Sequence, residues 1–277
     1  MDMEPEKQVW QSSSGKKLFA WYLNPAETPK AIILIVHGHG EHSLRYLPWA
    51  NRFANQGFVV QSWDHVGHGQ SEGRRGHIQY FEQLLMEIDL AITKIAHHYP
   101  KLPIILYGHS MGGNIVLNYA INHPAKPSLL VVTSPWLRLT NPPSPVMEAI
   151  SGLINVIAPF VQIKSTVKPE QISQIPEVVE KYATDPLIHA LITPRLYTSI
   201  GKSTNFICKN ADEIRIPTLL MHGSADSITS HEATSDLSHK IPKATYIEWS
   251  DCYHELHHET VANEVFDTIL NWINEQL

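Results

Sequence analysis

The sequence predicts an α/β protein: a mostly parallel sheet flanked by helices, with one helical insertion late in the chain. Three observations predict it. Short β-branched apolar runs alternate with longer segments of helical periodicity. Those runs are near-continuous rather than alternating, the pattern of strands covered on both faces. One long stretch, 137–201, then breaks the alternation while remaining apolar.

Ala31–Val36 (AIILIV) is the first clear strand and ends at His37-Gly38. Residues 45–56 read as a helix stopped by Gly57, and Phe58–Trp63 as the next strand. Across 78–98 the apolar positions Phe81, Leu84, Leu85, Ile88, Ile92 and Ile95 have helical spacing, and Pro100 and Pro103 end that element. Ile104–Tyr107 is a strand, 111–123 a helix, and Leu129–Thr133 a strand. Beyond the insertion, Thr218–Met221 and Thr245–Trp249 are strands around a helix near 231–240. An amphipathic helix over 259–276 closes the chain.

The insertion holds 8 of the 19 prolines. A structureless loop of that length does not suit a compact domain. Within it, Val146–Ile163 carries a single charge, Glu148, and Ile150, Leu153, Ile154 and Ile157 fall at helical spacing. The expected organisation is therefore a core of 1–136 and 202–277 with a lid over 137–201.

The chain has 277 residues, 43% hydrophobic and 17% charged, enough apolar material for a large core and too much for disorder. Its net charge of −6 offers no basic face for nucleic acid. Cys208 and Cys252 are too few for a disulfide framework and suit a reducing compartment. Met1–Lys7 lacks the apolar core of a signal peptide, and no apolar run is long enough to span a bilayer. A cytoplasmic location is expected, peripheral at membrane surfaces. The 17 histidines call for an explanation.

Gly108-His109-Ser110-Met111-Gly112 is a G-x-S-x-G segment. The pentapeptide alone is weak, but here it joins an expected strand to an expected helix. A serine at such a turn has its hydroxyl held clear of the sheet, and the helix N-terminus aims N–H groups at an adjacent anion. The bland alternative is a helix-capping serine in a glycine-rich turn.

A serine nucleophile needs a base, and the base an orienting acid. Asp226 follows strand 218–221 and His254 follows strand 245–249, both past the carboxyl ends where open parallel sheets bind ligands. Asp212 and Glu213 precede their strand, at the wrong end. Asp251 shares a loop with His254 and reads as a solvated carboxylate. Asp64, in Asp64–Gly73, precedes the serine and is assigned to holding its loop.

His37-Gly38-His39-Gly40-Glu41-His42 supports two readings. In one, a glycine-rich bend turns the His39 N–H toward a substrate carbonyl. In the other, imidazoles two residues apart share a zinc ion, completed by His65, His68 or His77. Glu41 stands where a metallo-β-lactamase-like H-x-H-x-D-H motif has aspartate, and a complete Ser/Asp/His set leaves a metal no task.

Taken together, HGHGEHSLRY (37–46), DHVGHGQSEG (64–73), YGHSMGGN (107–114), DPLIH (185–189), HGSAD (222–226) and YHELHHE (253–259) resemble the monoacylglycerol lipases, α/β-hydrolases of a lysophospholipase-like group. The resemblance covers roughly 15–275. It implies the α/β-hydrolase fold with a triad of Ser110, Asp226 and His254. It implies an oxyanion hole from the N–H groups of His39 and Met111. It also implies a glycerol-side pocket at Glu41, Arg45, Tyr182 and His257. His39 departs from the family, which has a small or apolar residue there.

The reaction so implied is cleavage of a monoacylglycerol to fatty acid and glycerol through an acyl-enzyme, with no cofactor and no metal. The partner is a small lipid ester. Val146–Ile163 either packs wholly onto the core as a second layer of an acyl tunnel or, the reading preferred, exposes Leu153, Ile157 and Phe160 for transient contact with a membrane surface. The alternatives are a lysophospholipase or general carboxylesterase with the same triad, a zinc hydrolase using HGHGEH, and a non-catalytic receptor of the same fold.

Overall fold

A computed structural model describes residues 3–277. Eight strands form one sheet: β1 (Glu6–Gln11), β2 (Lys17–Leu23), β3 (Ala31–Val36), β4 (Phe58–Trp63), β5 (Ile104–His109), β6 (Leu129–Thr133), then β9 (Thr218–Gly223) and β10 (Ala244–Trp249). The spatial order is β1-β2-β4-β3-β5-β6-β9-β10. Strands β3, β4, β5, β6, β9 and β10 run parallel, while β1 and β2 form an antiparallel edge. The parallel α/β architecture is as expected; the β1–β2 hairpin was not anticipated.

Alternation along the strands divides the core in two. Leu34, Leu106, Val132 and Leu220 pack with Leu84, Ile88 and Ile115 from α2 (Glu82–Ala96) and α3 (Met111–Asn122). Ile33, Ile105, Val131 and Leu219 face the other way, onto Trp49, Phe53, Phe266 and Ile269 of α1 (Leu47–Ala54) and α8 (Ala262–Gln276). Both faces are covered, so an uninterrupted apolar strand is stable where an alternating one would bury polar groups. On the first face lies α7 (His231–Ser238), which adds Leu237.

Strand order reverses at β3, which has β4 on one side and β5 on the other. A crevice opens at the carboxyl ends of strands that flank such a switch point. The turn after β3, Ser110 after β5, Asp226 after β9 and His254 after β10 all lie at that end.

The segment 137–201 stands outside the large sheet. It contains α4 (Pro145–Ile157), α5 (Pro176–Thr184) and two short strands, β7 (Ile163–Lys164) and β8 (Leu191–Ile192), paired only with each other. α6 runs from Pro194 to Asn210, so position 201 lies inside a continuous helix rather than at its end. Its Leu196, Ile200 and Ile207 belong to the core cluster of the first face. Among the described residues no helix is long and apolar enough to cross a membrane.

Candidate active site

Ser110 sits between β5 and α3 with φ +53° and ψ −116°, a conformation that costs a non-glycine residue about 1–3 kcal/mol. The surroundings hold it there. Its N–H donates to the Thr133 carbonyl (3.0 Å), and its own carbonyl accepts from Asn114 (3.2 Å) and Trp136 (2.9 Å). The flanking glycines are required by close approach: a Cβ on Gly112 would lie 1.9 Å from the Val36 carbonyl oxygen, and one on Gly108 2.5 Å from that of Gly112. Met111 opens α3, so its N–H has no carbonyl one turn earlier in the helix to bond.

His254 Nδ1–H donates to Asp226 Oδ2 at 2.6 Å. Asp226 is buried and further held through Oδ1, which accepts the N–H groups of Ile228 (2.7 Å) and Thr229 (3.0 Å). Burial opposes charge on both partners, yet the pair sustains it. The Asp226 carboxylate lifts the His254 pKa above 6.5, and the His254 and His222 imidazoles hold the Asp226 carboxyl far below the usual range.

The turn after β3 is set by Glu41, whose Oε1 accepts the Gly38 N–H (2.6 Å) and the Tyr46 hydroxyl (2.8 Å). The His39 imidazole is tied to the Leu191 carbonyl (3.0 Å), and burial, aided by nearby His189, pushes its pKa down to about 3. It is therefore neutral at working pH.

Ser110, His254 and His39 line a cavity of about 800 Å³ between the sheet and the 137–201 segment. Glu41, Tyr182 and Glu255 line it too, while Val167, Ile172, Ile188 and Ile192 give it an apolar side. Arg45 and His257 stand behind this wall. Arg45 donates to Glu41 Oε2 (2.5 Å) and to both oxygens of Glu255 (2.6 Å each), and its guanidinium lies 4.8 Å from the Tyr182 ring. His257 stacks on Tyr46 (4.7 Å) and lies 5.2 Å from His109. Burial, with His258 beside it, keeps it neutral. Four residues expected to face glycerol thus divide into Glu41 and Tyr182 at the cavity, and Arg45 and His257 in support. Glu255 was missed: a glutamate beside a histidine carries no signal until Arg45, 210 positions away in sequence, is brought against it.

The zinc arrangement does not assemble. His37 bonds the Gly38 carbonyl through Nδ1 (2.7 Å) and accepts the His65 N–H at Nε2 (3.0 Å), His39 holds Leu191, and His42 holds Asp185 (2.9 Å). Among the described residues, one group of three brings metal-ligating atoms within 4.8 Å of one another: Glu255, His257 and His258. Arg45 already occupies Glu255 and lies 3.4 Å from His258 Nδ1, so a cation there would face a guanidinium. Asp64 serves its loop as expected, accepting from the Ser43 N–H (2.8 Å) and hydroxyl (2.6 Å) and the Gln70 N–H (2.7 Å). Asp251 is exposed.

The sheet order, the elbow after β5 and the inserted helices define an α/β-hydrolase. Residues 27–261 match the family described as serine aminopeptidase, S33, and the chain belongs to it. A rat monoglyceride lipase is 31% identical over 273 residues, 96% of this chain and 89% of that protein. An uncharacterized abhydrolase domain-containing protein of Dictyostelium discoideum is 34% identical over 260 residues, covering 91% of this chain. This chain spans only 27% of that relative's length. Among solved structures, the monoacylglycerol lipase of Paleococcus ferrophilus superposes with a TM-score of 0.87 at 30% identity, over 94% of this chain and 99% of that one.

Proposed function

We propose that the protein is a serine hydrolase that cleaves monoacylglycerols to fatty acid and glycerol. The observation that carries this reading is the opening of one cavity onto both Ser110 and His254, with an apolar side for an acyl chain and polar groups at Glu41 and Tyr182 for a polyol. The names of the rat and Paleococcus relatives support the substrate class.

In this mechanism His254 Nε2 takes the Ser110 hydroxyl proton as Oγ attacks the ester carbonyl. Asp226 keeps Nδ1 protonated and stabilises the imidazolium that forms. The N–H groups of His39 and Met111 stabilise the oxyanion, each by about 3–4 kcal/mol. His254 protonates the leaving glycerol oxygen. Water, activated by the same imidazole, then hydrolyses the acyl-Ser110 ester.

The core is 1–136 and 202–277, with 137–201 as the lid; the continuity of α6 favours closing the moving part at Thr193. Leu153 is 60%, Ile157 72% and Phe160 52% exposed, an apolar run on and just after α4. Such patches mark interaction surfaces. The reading is transient contact with a lipid surface, peripheral and facing a reducing compartment, which suits the free Cys208 and Cys252.

A substrate panel tests this. After fluorophosphonate titration of active sites, kcat/KM is measured on monoacylglycerols, lysophospholipids and short-chain esters. Monoacylglycerols are expected to lead; a lysophospholipid or short ester turned over faster would overturn the substrate assignment.

A further inference from the structure

His222 lies near the end of β9, wholly buried, four residues before Asp226. Its Nε2 is 3.0 Å from Asp226 Oδ2, the same oxygen that receives His254 Nδ1–H at 2.6 Å. The carboxylate therefore stands between two imidazoles. An ionised carboxylate only accepts, so Nε2 of His222 carries a proton. In the neutral ring Nδ1 is then bare, and the Thr234 hydroxyl, 2.8 Å away on α7, donates to it. Nε2 also faces the Thr229 carbonyl (3.1 Å), a second acceptor that calls for the same proton, and the Thr234 hydroxyl, able to donate or accept, satisfies the Nδ1 left bare. A buried, satisfied histidine is ordinary; one whose donor shares an oxygen with the catalytic imidazole is not.

We propose that His222 is a positioning residue for the reaction: through Nε2–H it holds Asp226 Oδ2 on the line to His254 and shares the oxygen that orients the base. This rests on the triad reading above. The shared oxygen has a direct consequence. The Thr229 hydroxyl also reaches Oδ2 (3.0 Å), and the His222 donor spreads the negative charge of that oxygen further, so His254 keeps its proton less tightly than it would without His222. Removal of the donor strengthens the remaining bond, and the base becomes harder to free.

The other groups facing His254 are Glu255 on its own loop, Glu41 on the turn after β3, Arg45 behind them, and the neutral His109 ring 4.7 Å away on β5. On the far side of His222, the His231 ring of α7 lies 6.4 Å away and pairs with Glu248 of β10. None of these is altered by a change at 222, so a displaced titration reports the Asp226 contact.

The test is the pH profile of kcat/KM on a monoacylglycerol for wild type, His222→Leu, His222→Gln and His222→Met. In His222→Leu the acid midpoint is expected to move alkaline by about half a unit or more, with kcat/KM lowered about tenfold at pH 8. Glutamine keeps an N–H close to the position of Nε2, and its midpoint should stay within about 0.2 units of wild type. A folded His222→Leu enzyme with an unmoved midpoint overturns the proposal. Should leucine prevent folding, His222→Met decides, since its flexible side chain fills the space without an N–H: an alkaline shift supports the role and an unchanged midpoint refutes it. Failure of the triad itself looks different, because wild type would then show no acid limb at all.

Discussion

Arg45→Met removes the guanidinium held between two buried carboxylates. The side chains of Glu41 and Glu255 are 4% and 3% exposed, so neither can turn to water when the guanidinium is lost. Breaking a buried ion pair from one side costs about 3–5 kcal/mol, and this arginine serves two partners, which places the loss at about 4–5 kcal/mol. For a chain of this size that corresponds to roughly 7–9 °C in Tm. The pH dependence gives a sharper check. Burial pushes the Glu255 carboxyl up, but Arg45 and His258 outweigh it and hold the pKa well below the ordinary value. In wild type this glutamate is therefore charged in both folded and unfolded states between pH 7.5 and 5.5, and contributes no slope there. Its stabilisation is lost only as pH falls below the ordinary carboxylate range through the lowered pKa. In the variant the burial effect prevails. The folded protein then binds a proton that the unfolded chain does not, and it gains stability as pH falls. The gap between wild type and variant should narrow by up to about 1.4 kcal/mol per pH unit through Glu255, whose remaining partner is His258. Urea unfolding followed by tryptophan fluorescence at pH 7.5 and 5.5 measures both quantities, and the other titrating groups cancel in the difference. A loss under about 1 kcal/mol, or an equal gap at the two pH values, would refute the buried-cluster account.

Asp226→Asn should lower kcat by roughly 10³–10⁴, because an amide supports the wrong histidine tautomer, whereas Asp251→Asn should change monoacylglycerol turnover by no more than about threefold. If Asp251→Asn is the crippling change, the acid has been misassigned. The base must be neutral to act, and Asp226 lifts its pKa despite burial, so kcat/KM should fall as pH drops through a midpoint above 6.5; a flat profile from pH 5 to 8 contradicts a histidine base. Leu153→Glu/Ile157→Glu should weaken co-sedimentation with vesicles and reduce activity on long-chain monoacylglycerols while sparing a soluble short ester. Wild-type behaviour on both substrates would leave this helix no part in lipid access.

Much of this was legible in the sequence because burial on both faces writes itself as continuous apolar runs. AIILIV, FVVQSW and LLVVT became β3, β4 and β6. The elbow was legible for a steric reason, since Gly108 and Gly112 stand where backbone from the next turn or from β3 leaves no room for a side chain. The first hairpin was not: β1 is mostly exposed, with Trp10 its one buried residue, so its pattern carries almost no periodicity. Helix ends moved inward for local reasons. The last helix begins at Ala262 rather than 259 because Leu256–His258 forms a 3-10 turn that brings His258 to Glu255. The two-residue strands β7 and β8 are too short to have a pattern. Glu255 and His222 escaped notice because their significance lies in partners that only the fold supplies: Arg45 for one, and for the other a carboxylate oxygen already claimed by His254.

If Ser110 is the nucleophile of an ester hydrolase, a fluorophosphonate should modify it alone, and intact mass reads the outcome. Wild type should gain a single adduct, mapped by peptide analysis to Ser110, in step with loss of monoacylglycerol turnover. Ser110→Ala should keep its fold and its Tm, gain no adduct, and show turnover at background, since the triad acts as a unit. A folded Ser110→Ala protein that still takes the label, or still cleaves monoacylglycerol at close to the wild-type rate, would contradict the account.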